Sequence, residues 1–157
     1  MKELKQVGDT LAVEMGKQLL KQGRTQNAGG LINSLQTKVT QKGFTTDITI
    51  LGNFYWTFVD KGVKPGQIKS AKAPARINAL VQWLKKKGIG STEPIIRGIA
   101  YAIAHTHKKV GMPSKNGRFD KSRLGFVDKA YNIARPEIDS ELTTILGRQV
   151  DKIIRKF

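Results

Sequence analysis

The chain contains no cysteine. That absence excludes disulfide cross-links, thiolate metal sites and a cysteine nucleophile, and it fits a cytosolic origin. Histidine is nearly as scarce, with two residues in 157. They stand as His105-Thr106-His107, and two apart on a helix their rings point to different faces, so they cannot readily share a metal ion. Acidic residues are few, 12 against 28 Lys and Arg, and no spacing among them suggests a metal pair or an acid–base pair. HExxH, a phosphate-binding Walker loop and GxSxG are all missing, and none of the serines sits in a nucleophile context. No catalytic residue, metal or cofactor is expected, which lowers an enzyme reading, although residues distant in the sequence can still converge in a fold. No apolar run approaches the roughly 20 residues that cross a bilayer. The opening Met1-Lys2-Glu3-Leu4-Lys5 begins an amphipathic pattern rather than a signal peptide, so no membrane association is expected.

What is present is an apolar content of 39%, enough for one domain with a core, and a net charge of +16. The charge is unevenly placed. From Asp60 to Arg123, 15 Lys and Arg stand against three acids, Asp60, Glu93 and Asp120. Such a field favours an acidic partner: nucleic acid, an anionic membrane or an acidic protein surface. Four of the aromatic residues fall in Phe54-Tyr55-Trp56-Thr57-Phe58. A ring can bury roughly 150–250 Å², so the rest of the chain is expected to pack around this stretch. Tyr55, Phe58 and Val59 read as core, and Asp60-Lys61-Gly62 as a fixed surface corner used for contact.

Periodicity places the elements. Leu4, Val7, Leu11, Met15 and Leu19 make one stripe of a helix over Lys2 to Gln22, which Gly23 closes. A polar loop, expected to be mobile, covers 24–30. Alternation predicts strands over Leu35–Thr40 and Phe44–Ile50, joined by a turn at Gln41-Lys42-Gly43. Tyr55–Val59 reads as a third strand or a short helical turn. A basic loop follows over 61–73. Pro74 opens a helix carrying Ile77, Leu80, Val81 and Leu84, with Trp83 beside the stripe and Gly88 at the end. Lys85, Lys86 and Lys87 fill its last turn, where cations suit the helix dipole. Ser91-Thr92-Glu93-Pro94 starts a second helix that runs to about His107 or Lys108, completing a helical hairpin over 74–108. A second basic loop covers 109–123. Gly125-Phe126-Val127 reads as a brief strand or the lead-in to the last helix. In that helix Ile138, Leu142, Ile145, Gln149, Ile153 and Phe157 recur, reinforced by Leu146, Val150 and Ile154. Pro136 is expected to kink or restart it.

Three segments, in this order, resemble the tail-completion, neck or minor-tail proteins of tailed bacteriophages. Gly29-Gly30-Leu31-Ile32-Asn33-Ser34-Leu35 is similar to that family's Gly-x-Leu-x-x-Ser entry to its first strand. Tyr55-Trp56-Thr57-Phe58-Val59-Asp60-Lys61-Gly62-Val63 falls on its Tyr-Ala-x-Tyr-Val-Glu-Phe-Gly-Thr. Gly125-Phe126-Val127-Asp128-Lys129-Ala130 falls on its Pro-Phe-Leu-x-Pro-Ala before a long helix. Asp60 stands where the family has Glu, Lys61 where it has Phe, Val63 where it has Thr, and Gly125 and Lys129 where it has proline.

The resemblance implies a single α+β domain over 1–157: a small antiparallel sheet packed by long N- and C-terminal helices, with the helical hairpin inserted. It implies a structural virion protein that catalyses nothing. Its copies form a ring, hexameric or dodecameric, in the neck or tail, assembled in the cytoplasm of the bacterial host. Partners would be the connector or stopper, portal-proximal proteins and a tail-tube or terminator protein. Tyr55, Trp56, Asp60, Lys61, Gly62 and Phe126 are the expected subunit or partner contacts. The charge excess sets Lys64, Lys69, Lys72, Lys115, Arg118, Lys121 and Arg123 against acidic protein or packaged DNA. The alternative is a basic nucleic-acid-binding module.

Overall fold

The computed structural model describes residues 2–24, 30–43 and 45–155. Most of the expected mobile loop, residues 25–29, lies outside them, as do Phe44 of the second strand and Phe157 of the last helix. The fold is α+β: a small antiparallel sheet with long N- and C-terminal helices and an inserted helical hairpin. The chain divides into two compact units where the sequence suggests one domain, the first of residues Met1–Asp60 with Gly125–Phe157, the second of Lys61–Leu124.

In the first unit, α1 (Lys2–Lys21) lies between α6 (Phe126–Ile154) and a hairpin of β1 (Gln36–Lys42) and β2 (Thr45–Leu51), packing against both. A single helical turn, α2 (Leu31–Ser34), precedes β1, and α3 (Trp56–Lys61) follows β2. The register pairs Thr37 with Ile50 and Val39 with Ile48, and runs out to Lys42 opposite Thr45. Gln41 and Lys42, expected in the turn, therefore belong to β1. The half-buried side chains of β1 and β2 include Thr37, Val39, Ile48 and Ile50, one face of the pleat. Gly8 of α1 lies against it: a Cβ there would collide with the Thr37 side chain and sit 2.7 Å from Ile48.

The core has two parts. Met15, Leu19, Leu31, Phe126 and Ala130 form one, with Tyr55 and Val59 packed on it. Val7, Ala134 and Ile138 form the other, joined by Leu142 and Ile145. Phe126, Ala130, Ala134 and Ile138 recur every four residues, so they share one face of α6. Alanine at two of them lets α1 approach closely. The helices run antiparallel, with Arg148 on Glu3 (3.0 Å) at one end and Phe126 beside Leu19 at the other.

Three expectations change here and one open choice is decided. Residues 56–61 are helical, so Tyr55 and Val59, four apart, face the core, whereas Phe58 turns outward and is 59% exposed. Of the two readings of Gly125-Phe126-Val127, the lead-in to the last helix holds, since α6 begins at Phe126. The helix does not restart at Pro136, which lies inside it. The apolar stripe of α6 is buried only in its first half, because α6 has 29 residues and α1 has 20. At 1.5 Å per residue the longer helix extends about 13 Å more.

The second unit is built on α4 (Pro74–Lys86) and α5 (Glu93–Val110), an antiparallel pair whose facing residues include Ile77, Val81, Leu84, Ile96, Ala100 and Ala104. Ala71, from the preceding loop, completes this core, and Ile68 is buried as well. The two basic loops are not independent. Val63 and Met112 exchange main-chain hydrogen bonds of 2.8 Å each way. Glycine flanks the crossing on both strands. A Cβ on Gly62 would lie 2.6 Å from the Met112 carbonyl oxygen, and one on Gly111 2.5 Å from that of Val63. Both have positive φ, 73° and 87°, where a side chain is strained in any case. The second loop holds a small hairpin of β3 (Ser114–Lys115) and β4 (Arg118–Phe119). Its two-residue turn, Asn116-Gly117, has both φ values positive, the turn that Asn-Gly favours.

Candidate functional site

The first unit is organised at the corner where the chain leaves it and returns. Helix α6 begins after Gly125, which has no side chain with which to cap it. Asp60 does so from 67 residues away: its Oδ1 accepts a hydrogen bond from the main-chain N–H of Val127 (3.1 Å). Its main-chain oxygen accepts another from Gly125 (2.8 Å). A carboxylate here satisfies one of the helix's otherwise unbonded N–H groups and suits the positive end of its dipole. Asp60 is accordingly only 8% exposed, and Phe126 beside it is fully buried.

The expected contact residues therefore separate. Asp60 and Phe126 are internal, engaged in capping and core packing, and are not surface contacts; Gly62 is half-buried, and a side chain there would meet Met112, Phe119 and Leu124. Tyr55 is half-buried, its ring edge-on to Phe54 at 5.8 Å. Trp56 and Lys61 are exposed. The sequence reading missed the apolar residues around them that also stay in water. Phe54 is 86% exposed, and at the far end of α6 so are Leu146, Val150, Ile153 and Ile154, each by more than half. Their helical spacing made them visible, but as core.

The second unit holds 15 of the 28 Lys and Arg and, with Asp60 outside it, only two of the 12 acids. Both acids are engaged locally. Glu93 takes Lys85 at 2.6 Å and Arg97 at 3.5 Å, and the Lys85 hydrogen bond holds its carboxyl below the usual range. Asp120 accepts from the main-chain N–H and hydroxyl of Ser122, which lowers its pKa in the same way. Lys64, Lys69, Lys72, Lys115, Arg118 and Lys121 are exposed as expected, and Arg123 is half-buried. Lys115 and Arg118 face each other across the hairpin.

One groove in this unit, of about 690 Å³, is lined by Ser70, Ala71 and Lys72 from the first basic loop and by Tyr101, His105 and Lys108 of α5. The last three follow i, i+4, i+7 spacing, one helix face. That spacing was legible in the sequence, but charge counting passed over it. His107 lies off that face, half-buried, and burial and then the Arg76 charge hold its imidazole below its usual pKa. Among the described residues no group of three or more His, Asp or Glu could hold a metal ion, and no helix is long and apolar enough to cross a membrane. The chain matches no family model, no curated protein and no solved structure.

Proposed function

We propose that the protein is a structural subunit of a tailed-bacteriophage virion, assembling as a ring in the neck or head–tail junction. The observation that carries this is the large apolar surface left open on the first unit: Phe54, Phe58, Leu146, Ile153 and Ile154, each 57–86% exposed. Burying one such side chain is worth about 1.5–3 kcal/mol, so these residues favour an assembly in which neighbouring copies cover them. They lie on different elements, the β2–α3 turn, α3 and the end of α6. A ring needs two unlike surfaces on each subunit, and separated patches suit that. The resemblance supplies the particular particle, and two of its segments, around Asp60 and around Val127, are hydrogen-bonded to each other. The connector or stopper on one side and a tail-tube or terminator protein on the other are the partners this reading assigns. The cationic second unit faces an acidic partner.

The test is the oligomeric state of the purified full chain, by native mass spectrometry and negative-stain electron microscopy. Closed rings of six or twelve copies are expected. Phe54→Ser with Phe58→Ser, or Leu146→Ser with Ile153→Ser, should return the chain to monomers with unchanged helix content. A chain that stays monomeric at its highest soluble concentration and does not bind a connector ring refutes the proposal.

A further inference from the structure

We infer that the second unit binds single-stranded nucleic acid in the groove formed by Ser70, Lys72, Tyr101, His105 and Lys108. The starting point is electrostatic. Fifteen cations and two acids within 61–124 give this unit nearly the whole of the chain's positive excess. Its two carboxylates already have local partners, Lys85 and Arg97 for Glu93 and Ser122 for Asp120. A polyanion is the ligand that such a surface takes, through release of its condensed counterions.

The groove narrows the choice among polyanions. An acidic protein surface offers carboxylates and needs only cations opposite it. Here an aromatic ring stands among the cations: Tyr101, 44% exposed, shares the groove with Lys72, His105 and Lys108. A ring held in water between phosphate-binding side chains is the arrangement on which an unpaired base stacks while the backbone follows the charges. Lys72 and Lys108 supply two cations, Ser70 a hydroxyl donor, and His105 an imidazole able to donate to a phosphate oxygen. The loop side of the groove is held in place by Ala71, which belongs to the core of the helical pair, so the wall is built before the ligand arrives. Lys64, Lys69, Lys115 and Arg118, all exposed, extend the positive field beyond it.

This inference does not depend on ring formation. A chain that forms rings but ignores nucleic acid would overturn the inference alone, and one that binds nucleic acid while staying monomeric and failing to bind a connector ring would overturn the proposed function alone.

The test uses the full chain and a fluorescein-labelled oligothymidine of about 20 nucleotides, followed by anisotropy across a salt series. Binding should weaken steeply with salt. Replacing both Lys72→Gln and Lys108→Gln should reduce the slope of log affinity against log salt by about 1.4, at about 0.7 per cation. Lys17→Gln with Lys152→Gln, removing the same charge from the first unit, should leave the slope in place. Tyr101→Ala should weaken binding about 5- to 150-fold, and Tyr101→Phe should restore it, which separates stacking from loss of fold. Equal losses from both lysine pairs would overturn the inference, because net charge alone would then explain binding. So would full affinity in Tyr101→Ala, or displacement of the oligothymidine by polyglutamate at equal charge concentration.

Discussion

Replacing Asp60 with alanine removes the group that caps α6 and leaves the part-buried N–H of Val127 without its acceptor. A hydrogen bond to a charged acceptor is worth about 1.5–3 kcal/mol, and loss of a helix cap costs about 0.5–2 kcal/mol. Both figures describe the same bond, so they do not add, and about 2 kcal/mol is the expected loss. Asp60→Asn keeps an acceptor oxygen and gives up the charge, which at a helix N-terminus contributes about 0.3–1 kcal/mol. The expected order of stability is therefore wild type, Asn, then Ala, with about 1 kcal/mol between the two variants. The assay is urea unfolding in a Trp83→Phe background, where Trp56, four residues from Asp60, reports on the first unit. For a chain of this size each kcal/mol moves the thermal midpoint by about 2–4 °C, so alanine should lower it by about 4–8 °C. Hydrogen exchange at Val127 should accelerate in Asp60→Ala and much less in Asp60→Asn. If the two variants lose equal stability, or alanine loses less than about 0.5 kcal/mol, Asp60 is held by packing and the capping argument fails.

Other expectations follow from the same geometry. Gly8→Ala puts a methyl group into the Thr37 side chain and 2.7 Å from Ile48, and should cost about 1–3 kcal/mol in chemical denaturation; a neutral result would mean that α1 and the sheet are less closely packed. His107 has its folded pKa depressed by burial and by Arg76, so the unfolded chain takes up the proton first. The stabilising contribution of neutral His107 is intact above the ordinary imidazole pKa of about 6.5 and is lost as pH falls from there through the folded value. The thermal midpoint should drop over that window in wild type and less in His107→Gln; matching profiles would contradict this. On the proposed virion function, neutralising Lys64, Lys69, Lys72, Arg118 and Lys121 together should block particle assembly, and normal infectious particles from that mutant would defeat the assignment of the basic surface to an assembly partner.

The elements whose hydrogen bonds close within a few residues were readable in advance. The stripe from Val7 to Leu19, the alternation around Val39 and Ile48, and the paired apolar faces of α4 and α5 all follow from local backbone periods of 3.6 and 2. The Asn116-Gly117 turn was equally local, yet the charge of its surroundings led to a loop assignment for the whole segment. Phe58 was assigned to the core because a dense aromatic run suggests burial. Once residues 56–61 coil into a helix, residues four apart share a face, so Tyr55 and Val59 turn to the core while Phe54 and Phe58 turn to water.

Composition and order along the chain thus determined the fold class, the lack of cysteine and near-lack of histidine, and the concentration of positive charge in the middle. Tertiary structure alone decided three things. It joined Asp60 to the start of α6 across 67 residues, and it drew the two basic loops together at Val63 and Met112. It also left the end of the α6 stripe open to water. All three depend on which distant segment meets which, and a sequence records apolar spacing without recording how far the neighbouring helix reaches.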